Sequence, residues 1–128
     1  MAVKLLDTSK EDVLRKLSKS GWDYIKDRNA IRRNFEFKEF IEAFDWMTKV
    51  ALYANNINHH PEWFNVYNRV EVVLTTHDCG GISDLDVKMA EKMDITANAL
   101  ITRKGYLAET NTKAKEKNTQ LNIKKNII

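Results

Sequence analysis

Between Phe37 and Ala54 apolar side chains return every third or fourth residue: Phe37, Phe40, Ile41, Phe44, Met47, Val50, Ala51 and Ala54. That is the repeat of one face of an α-helix, and no other stretch of the chain carries it so strongly. A helix this apolar has to be covered, and the runs on either side of it supply the cover. They switch to period two, the alternation of a strand with one face buried. Upstream, Trp22, Tyr24 and Lys26 alternate with Asp23 and Ile25, "DRN" turns the chain, and Ile31, Arg33, Phe35 and Phe37 share one face of a second strand. Arg32 and Arg33 read as solvated or edge residues rather than ligand clamps. Downstream, "PEWF" holds a short strand, "NVYN" a turn and "RVEVVLTTH" a longer strand. In that last strand Val70, Val72 and Leu74 share one face, and Arg69, Glu71, Val73 and Thr75 the other. Most of the central stripe is expected to pack on the sheet, with the surplus, and Trp46 off the main stripe, left for an oligomer interface. Periodicity alone serves equally well a stripe that is all core.

An outer helix lies on each side of this unit. Thr8 is followed three residues later by Glu11, the spacing of a capping box, and Val13, Leu14 and Leu17 share a face before Gly21, which predicts a helix near 9–19. Ser83 and Asp86 repeat the capping spacing ahead of Leu85, Met89, Met93, Ala97, Leu100 and Ile101, a last amphipathic helix expected to stop at Gly105. The order αββαββα predicts an α+β fold, a four-stranded antiparallel sheet covered on one face by helices. Residues 1–105 are read as one domain. Residues 106–128, rich in Asn, Thr and Lys and without periodicity, are read as a mobile basic tail.

Charge follows the same division. Residues 1–102 hold 14 basic and 16 acidic side chains and residues 103–128 hold 7 and 2, so the basic character belongs to the C-terminal end and not to the body. A body of balance −2 argues against direct nucleic-acid binding on charge alone. No apolar run approaches the roughly 18 residues of a membrane span, and the opening "MAVKLLDTSKEDVLRKL" gives no reason to expect a secretory signal. The one cysteine, Cys79, excludes an intramolecular disulfide and suits a reducing compartment, cytosol or nucleus.

All three histidines, His59, His60 and His77, fall within "NHHPEWFNVYNRVEVVLTTHDCGG". Imidazole, with an unperturbed pKa of about 6.5, serves as acid or base near neutrality. If "PEWF" pairs antiparallel with "VEVVLTTH", the start of one strand meets the end of the other and the three converge. Other readings compete. Three histidines are enough for a zinc site, but adjacent histidines in extended backbone point apart and no metal-binding spacing accompanies them. Unconnected surface histidines are the plainer alternative, weakened by the clustering. Cys79 as a nucleophile beside His77 has only sequence proximity in its favour.

These residues carry a resemblance. His59-His60-Pro61, Tyr67 in the hairpin, Thr76-His77 after the long strand and Asp86 in the next helix resemble the motif of the pterin-4a-carbinolamine dehydratases, known in animals also as dimerisation cofactors of a homeodomain transcription factor. The likeness continues through "GW" at 21–22, "RNAI" at 28–31, "FEFKEF" at 35–40 and "AFDWMTKVAL" at 43–52, spanning about residues 5–105. It implies a saddle-like subunit whose sheets join across a homodimer and whose central helices pack two dimers into a tetramer, placing Phe40, Phe44, Met47 and Ala51 at an interface. It implies loss of water from 4a-hydroxytetrahydrobiopterin to give quinonoid dihydrobiopterin, with no metal and no organic cofactor. His59, His60 and His77 would be the acid–base set, with Asn58, Pro61, Trp63, Phe64, Thr76 and Asp86 about the pterin. Trp63 and Phe64 either wall the pocket or belong to the core, and Asp86 is a partner in the site, the N3 member of the Ser83 cap, or both. A transcription-factor partner bound through the central helix is the non-enzymatic alternative. Family members often carry acidic residues where this chain has Asn55 and Asn58. Asparagine hydrogen-bonds but takes no proton, so activity is expected to survive with an altered pH dependence.

Overall fold

The computed structural model describes residues 2–5 and 7–110. The central helix α2 runs from Phe40 to Ile57, and the face it buries coincides only in part with the stripe that marks it in the sequence. Ala43, Trp46, Val50 and Ala54 are the buried apolar set, beside a buried Glu42, with Trp46 fully enclosed. Phe40, Ile41, Phe44 and Leu52 are exposed, Ile41 by 66% and Leu52 by 70%. Of the stripe, Phe37, Val50 and Ala54 are buried while Phe40, Ile41, Phe44 and Ala51 are exposed. The expectation that most of it packs on the sheet therefore fails for the first half of the helix, and the expectation that Trp46 stands aside is reversed. Two apolar faces occupy this helix, and a periodicity search finds the richer one, whereas burial follows the single largest ring. Trp46 lies 4.5 Å from Phe35 and 5.4 Å from Phe37, ring centre to ring centre, and 6.2 Å from Trp63. Such pairs contribute about 0.5–1.5 kcal/mol each beyond the area they bury. Its indole N–H donates to the Met93 carbonyl at 3.0 Å, tying α2 to the last helix.

The remaining elements follow the expected order: α1 (Asp7–Lys19), β1 (Asp23–Ile25), β2 (Ala30–Glu36), α2, β3 (Glu62–Val66), β4 (Arg69–Leu74) and α3 (Asp84–Thr110). The four strands form one antiparallel sheet in the order β1-β2-β4-β3. On its inner face Ile31, Phe35, Val70, Val72 and Leu74 are buried, as alternation predicted. Arg32 is exposed, and Arg33 pairs with Asp94 of α3.

Helix ends depart from the sequence reading in two places. α1 begins at Asp7, so Thr8 lies inside the helix rather than capping it. It closes at Gly21, whose φ of 104° suits glycine. There the Gly21 N–H donates to the Ser18 carbonyl and the Trp22 N–H to the Leu17 carbonyl. α3 runs through Gly105 to Thr110. A lone glycine costs a helix about 1 kcal/mol, which is not a stop when helix-forming residues follow, as Leu107, Ala108 and Glu109 do. By internal contacts Met1–Ala97 and Asn98–Ile128 form two units. The tail read from the sequence lies, from residue 111, outside the described residues. Among the described residues no helix is long and apolar enough to cross a membrane.

Candidate active site

The end of α2 delivers the first histidine. Asn58 takes a left-handed conformation, φ 53° and ψ 45°, and the next two N–H groups fold back: Asn58 to the Asn55 carbonyl at 3.3 Å, His59 to the Ala54 carbonyl at 3.0 Å. This is the same closure glycine gives α1, and asparagine is the residue next best suited to it. The helix thus stops abruptly and His59 leaves it in a fixed direction. Pro61 then commits His60 toward extended geometry, and β3 begins at Glu62.

The sheet register does the rest. Glu62 stands opposite Val73, so the residues before β3 face those after β4. Thr76 pairs with Gly81 as an isolated bridge, enclosing a tight turn His77–Cys79 closed by left-handed Gly80. A cleft of about 220 Å³ opens between the two segments, lined by Asn58, His59, His60, Thr75, Thr76, His77 and Asp78. The three histidines therefore meet. His59 is half-buried, whereas His60 and His77 are exposed at the rim.

Behind the cleft stands Asp86, fully buried at the start of α3. Its Oδ1 contacts His59 Nε2 at 2.6 Å. Its Oδ2 accepts the Thr76 hydroxyl at 2.7 Å and the Ser83 N–H at 2.9 Å. The Ser83 hydroxyl accepts the Leu85 N–H at 3.2 Å, completing a reciprocal capping box. Asp86 thus caps the helix with one oxygen and holds a histidine with the other. Against an ionised Asp86, which only accepts, His59 donates from Nε2, and a neutral ring then presents Nδ1 as its acceptor.

Of the other residues read from the sequence, Asn58 and Thr76 line the cleft. Asn55, Pro61, Trp63 and Phe64 do not. Trp63 packs toward Trp46, and Phe64, on the opposite face of β3, is 62% exposed. With Glu62, Glu71 and Val73 the two line a separate depression of about 210 Å³. Thr75 and Asp78 were missed. Once the strand pairing is drawn, Thr75 falls opposite the histidine pair, and Asp78 simply follows His77.

Fold and cleft define a small α+β protein that gathers three imidazoles in one cleft, one of them held by a carboxylate buried at a helix N-terminus, and comparison with known proteins gives its family. Residues 5–96 match the model of the pterin 4 alpha carbinolamine dehydratase family, and the chain belongs to that family. It is 52% identical over 97 residues to a relative from Roseobacter denitrificans, covering 76% of this chain and 99% of that one. It is 48% identical over 100 residues to the pterin-4-alpha-carbinolamine dehydratase of Drosophila melanogaster, covering 78% of this chain and 52% of that one. Among solved structures it is similar to a Brucella melitensis protein described as a transcriptional coactivator/pterin dehydratase. That similarity has a TM-score of 0.69 at 47% identity, over 74% of this chain and 99% of that one.

Proposed function

We propose that the chain dehydrates 4a-hydroxytetrahydrobiopterin to quinonoid dihydrobiopterin, using His59, His60 and His77 as an acid–base set without metal or organic cofactor. The observation that carries this reading is the His59–Asp86 contact in the wall of a cleft that also holds the other two imidazoles. The reaction breaks the C4a–oxygen bond. One proton must reach the departing hydroxyl, and one must leave the ring nitrogen as the new double bond forms. The protons balance, so no activated nucleophile is needed, only groups that give and take protons near neutrality. Orientation by Asp86 suits His59 to accept at Nδ1, while the exposed rings of His60 and His77 reach a ligand entering from solvent. Thr76 and Asn58 supply hydrogen-bonding groups to a pterin edge.

The test follows carbinolamine breakdown by absorbance as a hydroxylase generates it, with and without protein. Acceleration should fall by about 10²- to 10⁴-fold on replacing His60 or His77 with Ala. Full acceleration by both variants would remove the histidines from the mechanism.

A second reading rests on the exposed face of α2. Phe40 and Phe44 pack against one another with tilted rings, centres 5.7 Å apart, and Ile41 and Leu52 of the same helix are open to solvent. We place self-association there through Phe40, Phe44, Met47 and Ala51, as a homodimer or homotetramer in cytosol or nucleus. The same face would engage a homeodomain transcription factor; the Brucella melitensis protein is described as a transcriptional coactivator as well as a pterin dehydratase. His77→Ala should remove dehydration and leave assembly intact, and Phe44→Asp should do the reverse. Loss of both properties in either variant would refute the separation.

A further inference from the structure

Asn29, outside the cleft and far from the histidines in sequence, fastens the turn that carries His77. It occupies the corner between β1 and β2 in the left-handed conformation, φ 51° and ψ 53°. From there its side-chain Nδ2 donates to the Gly80 carbonyl at 2.8 Å, and its backbone carbonyl accepts the Thr75 hydroxyl at 3.1 Å. One residue thus holds both ends of the segment 75–80. Between those two points lie Thr76, His77 and Asp78, all in the wall of the cleft. Asn29 is itself held: its Oδ1 accepts the Tyr24 hydroxyl at 2.5 Å and the Lys10 ammonium at 3.2 Å, and Lys10 also donates to the Tyr24 oxygen at 3.0 Å. The amide is therefore oriented by α1 and β1 before it meets the turn.

Glycine at position 81 belongs to this arrangement. A Cβ there would stand 2.2 Å from Asn29 Nδ2 and 2.6 Å from its Cγ, so any side chain at 81 forces the Asn29 amide to move. Gly81 has no positive φ, so its lack of a side chain answers to the space Asn29 fills rather than to backbone conformation. The Thr76–Gly81 bridge closes the turn from within, with Thr76 N–H to the Gly81 carbonyl at 2.8 Å and the return bond at 3.2 Å. Asn29 closes it from without. The turn is short, and its tip, Gly80, is exposed. Without the outer bond the turn keeps the bridge and its own internal bonds, Cys79 N–H to the Thr76 carbonyl and Gly80 N–H to the His77 carbonyl. Its tip, however, loses the tie to the first hairpin, and His77 is less firmly placed.

We infer that Asn29 is a positioning residue for His77, acting through the Gly80 carbonyl and the glycine at 81. The inference rests on the reading of His77 as part of the acid–base set. Misplacement of a reacting group by about 1 Å costs on the order of 10²-fold in rate, so partial loosening should cost ten- to a hundredfold.

The experiment uses Asn29→Gly, which keeps the left-handed corner and deletes the amide, Gly81→Ala, which pushes the amide aside, and the double variant. Dehydratase kcat and KM are read beside the NMR resonances of the three histidine rings and the melting curve. In each single variant kcat should fall roughly ten- to a hundredfold, with less change in KM. The His77 ring resonances should move while those of His59 stay, and melting should remain cooperative. The double variant should be no slower than Asn29→Gly alone, because the added methyl then has room. Unchanged kcat and unmoved His77 resonances would overturn the inference. So would a double variant as slow as the product of the singles, or movement of all three histidines together with lost cooperativity. Should the wild-type protein not dehydrate the carbinolamine at all, the functional reading fails first, and the ring resonances still decide whether Asn29 holds His77.

Discussion

Asp86 uses both of its oxygens, each for a different partner, and that makes its replacement by asparagine informative. One oxygen meets His59 Nε2, and the other takes the Thr76 hydroxyl and the Ser83 N–H. Asparagine offers one oxygen and one NH₂. The oxygen will stay with the two donors on the cap side, which turns the NH₂ toward His59 and forces Nε2 to accept. The imidazole then carries its proton on Nδ1, the nitrogen left basic in the wild type. Asp86→Asn should cost about 1–3 kcal/mol of stability and reduce kcat by 10²-fold or more, on the order expected for an acid–base group in the wrong protonation pattern. Nitrogen-15 NMR of His59 reads the tautomer directly, and an unchanged tautomer with lost activity would send the effect elsewhere. Asn58 makes a complementary case. It stands at a left-handed helix end, so Asn58→Ala should lose about 1–2 kcal/mol, whereas Asn58→Gly should melt close to wild type. Equal melting of the two variants would mean the helix end does not depend on that conformation.

At the scale of elements, the sequence and the structure agree wherever one local rule acts alone. Val70, Val72 and Leu74 alternate because one face of β4 is buried, and alternation can be read. The Ser83–Asp86 spacing can be read for the same reason, its two hydrogen bonds closing within four residues. The convergence of the histidines followed from strand pairing, which needs no knowledge of the core. α2 was misread because two faces compete on it. Phe40, Phe44, Met47 and Ala51 repeat as well as Ala43, Trp46, Val50 and Ala54, and nothing local says which face meets the sheet. The indole of Trp46 decides, since it fills the space between Phe35, Phe37 and Trp63 and its N–H reaches Met93. Asn29 was invisible for a different reason: its partners, Lys10, Thr75 and Gly80, are brought to it only by the fold. The assignment of faces carries its own prediction. Trp46→Ala should cost about 3–5 kcal/mol by chemical denaturation. Phe44→Asp should change subunit stability by less than about 1 kcal/mol while altering the assembled mass in sedimentation. A large destabilisation of the monomeric subunit by Phe44→Asp would put that face back in the core.

For the molecule as a whole, pH acts on stability at Asp94, where α3 meets both the first hairpin and the sheet. Its carboxylate accepts the Trp22 indole N–H at 3.0 and 3.1 Å and pairs with Arg33 of β2. Burial, helped by the nearby Glu91 charge, raises its pKa above the ordinary carboxylate value against the lowering by the Trp22 hydrogen bond and Arg33. The native state therefore keeps this proton at a pH where the unfolded chain has released it. The stabilisation that comes with the proton is complete below the ordinary carboxylate value and is lost as pH rises through the native one. Replacing Asp94 with Asn removes the titration but keeps the shape and one acceptor for Trp22. Chemical denaturation of both proteins from the carboxylate range to neutrality isolates the effect, because every other group titrates alike in the two. The stability of the wild type minus that of Asp94→Asn should decline as pH rises. A difference that grows with pH would mean the Arg33 pairing outweighs burial, and would make this contact an ion pair that holds α3 to β2 rather than a buried carboxyl strained by its own charge.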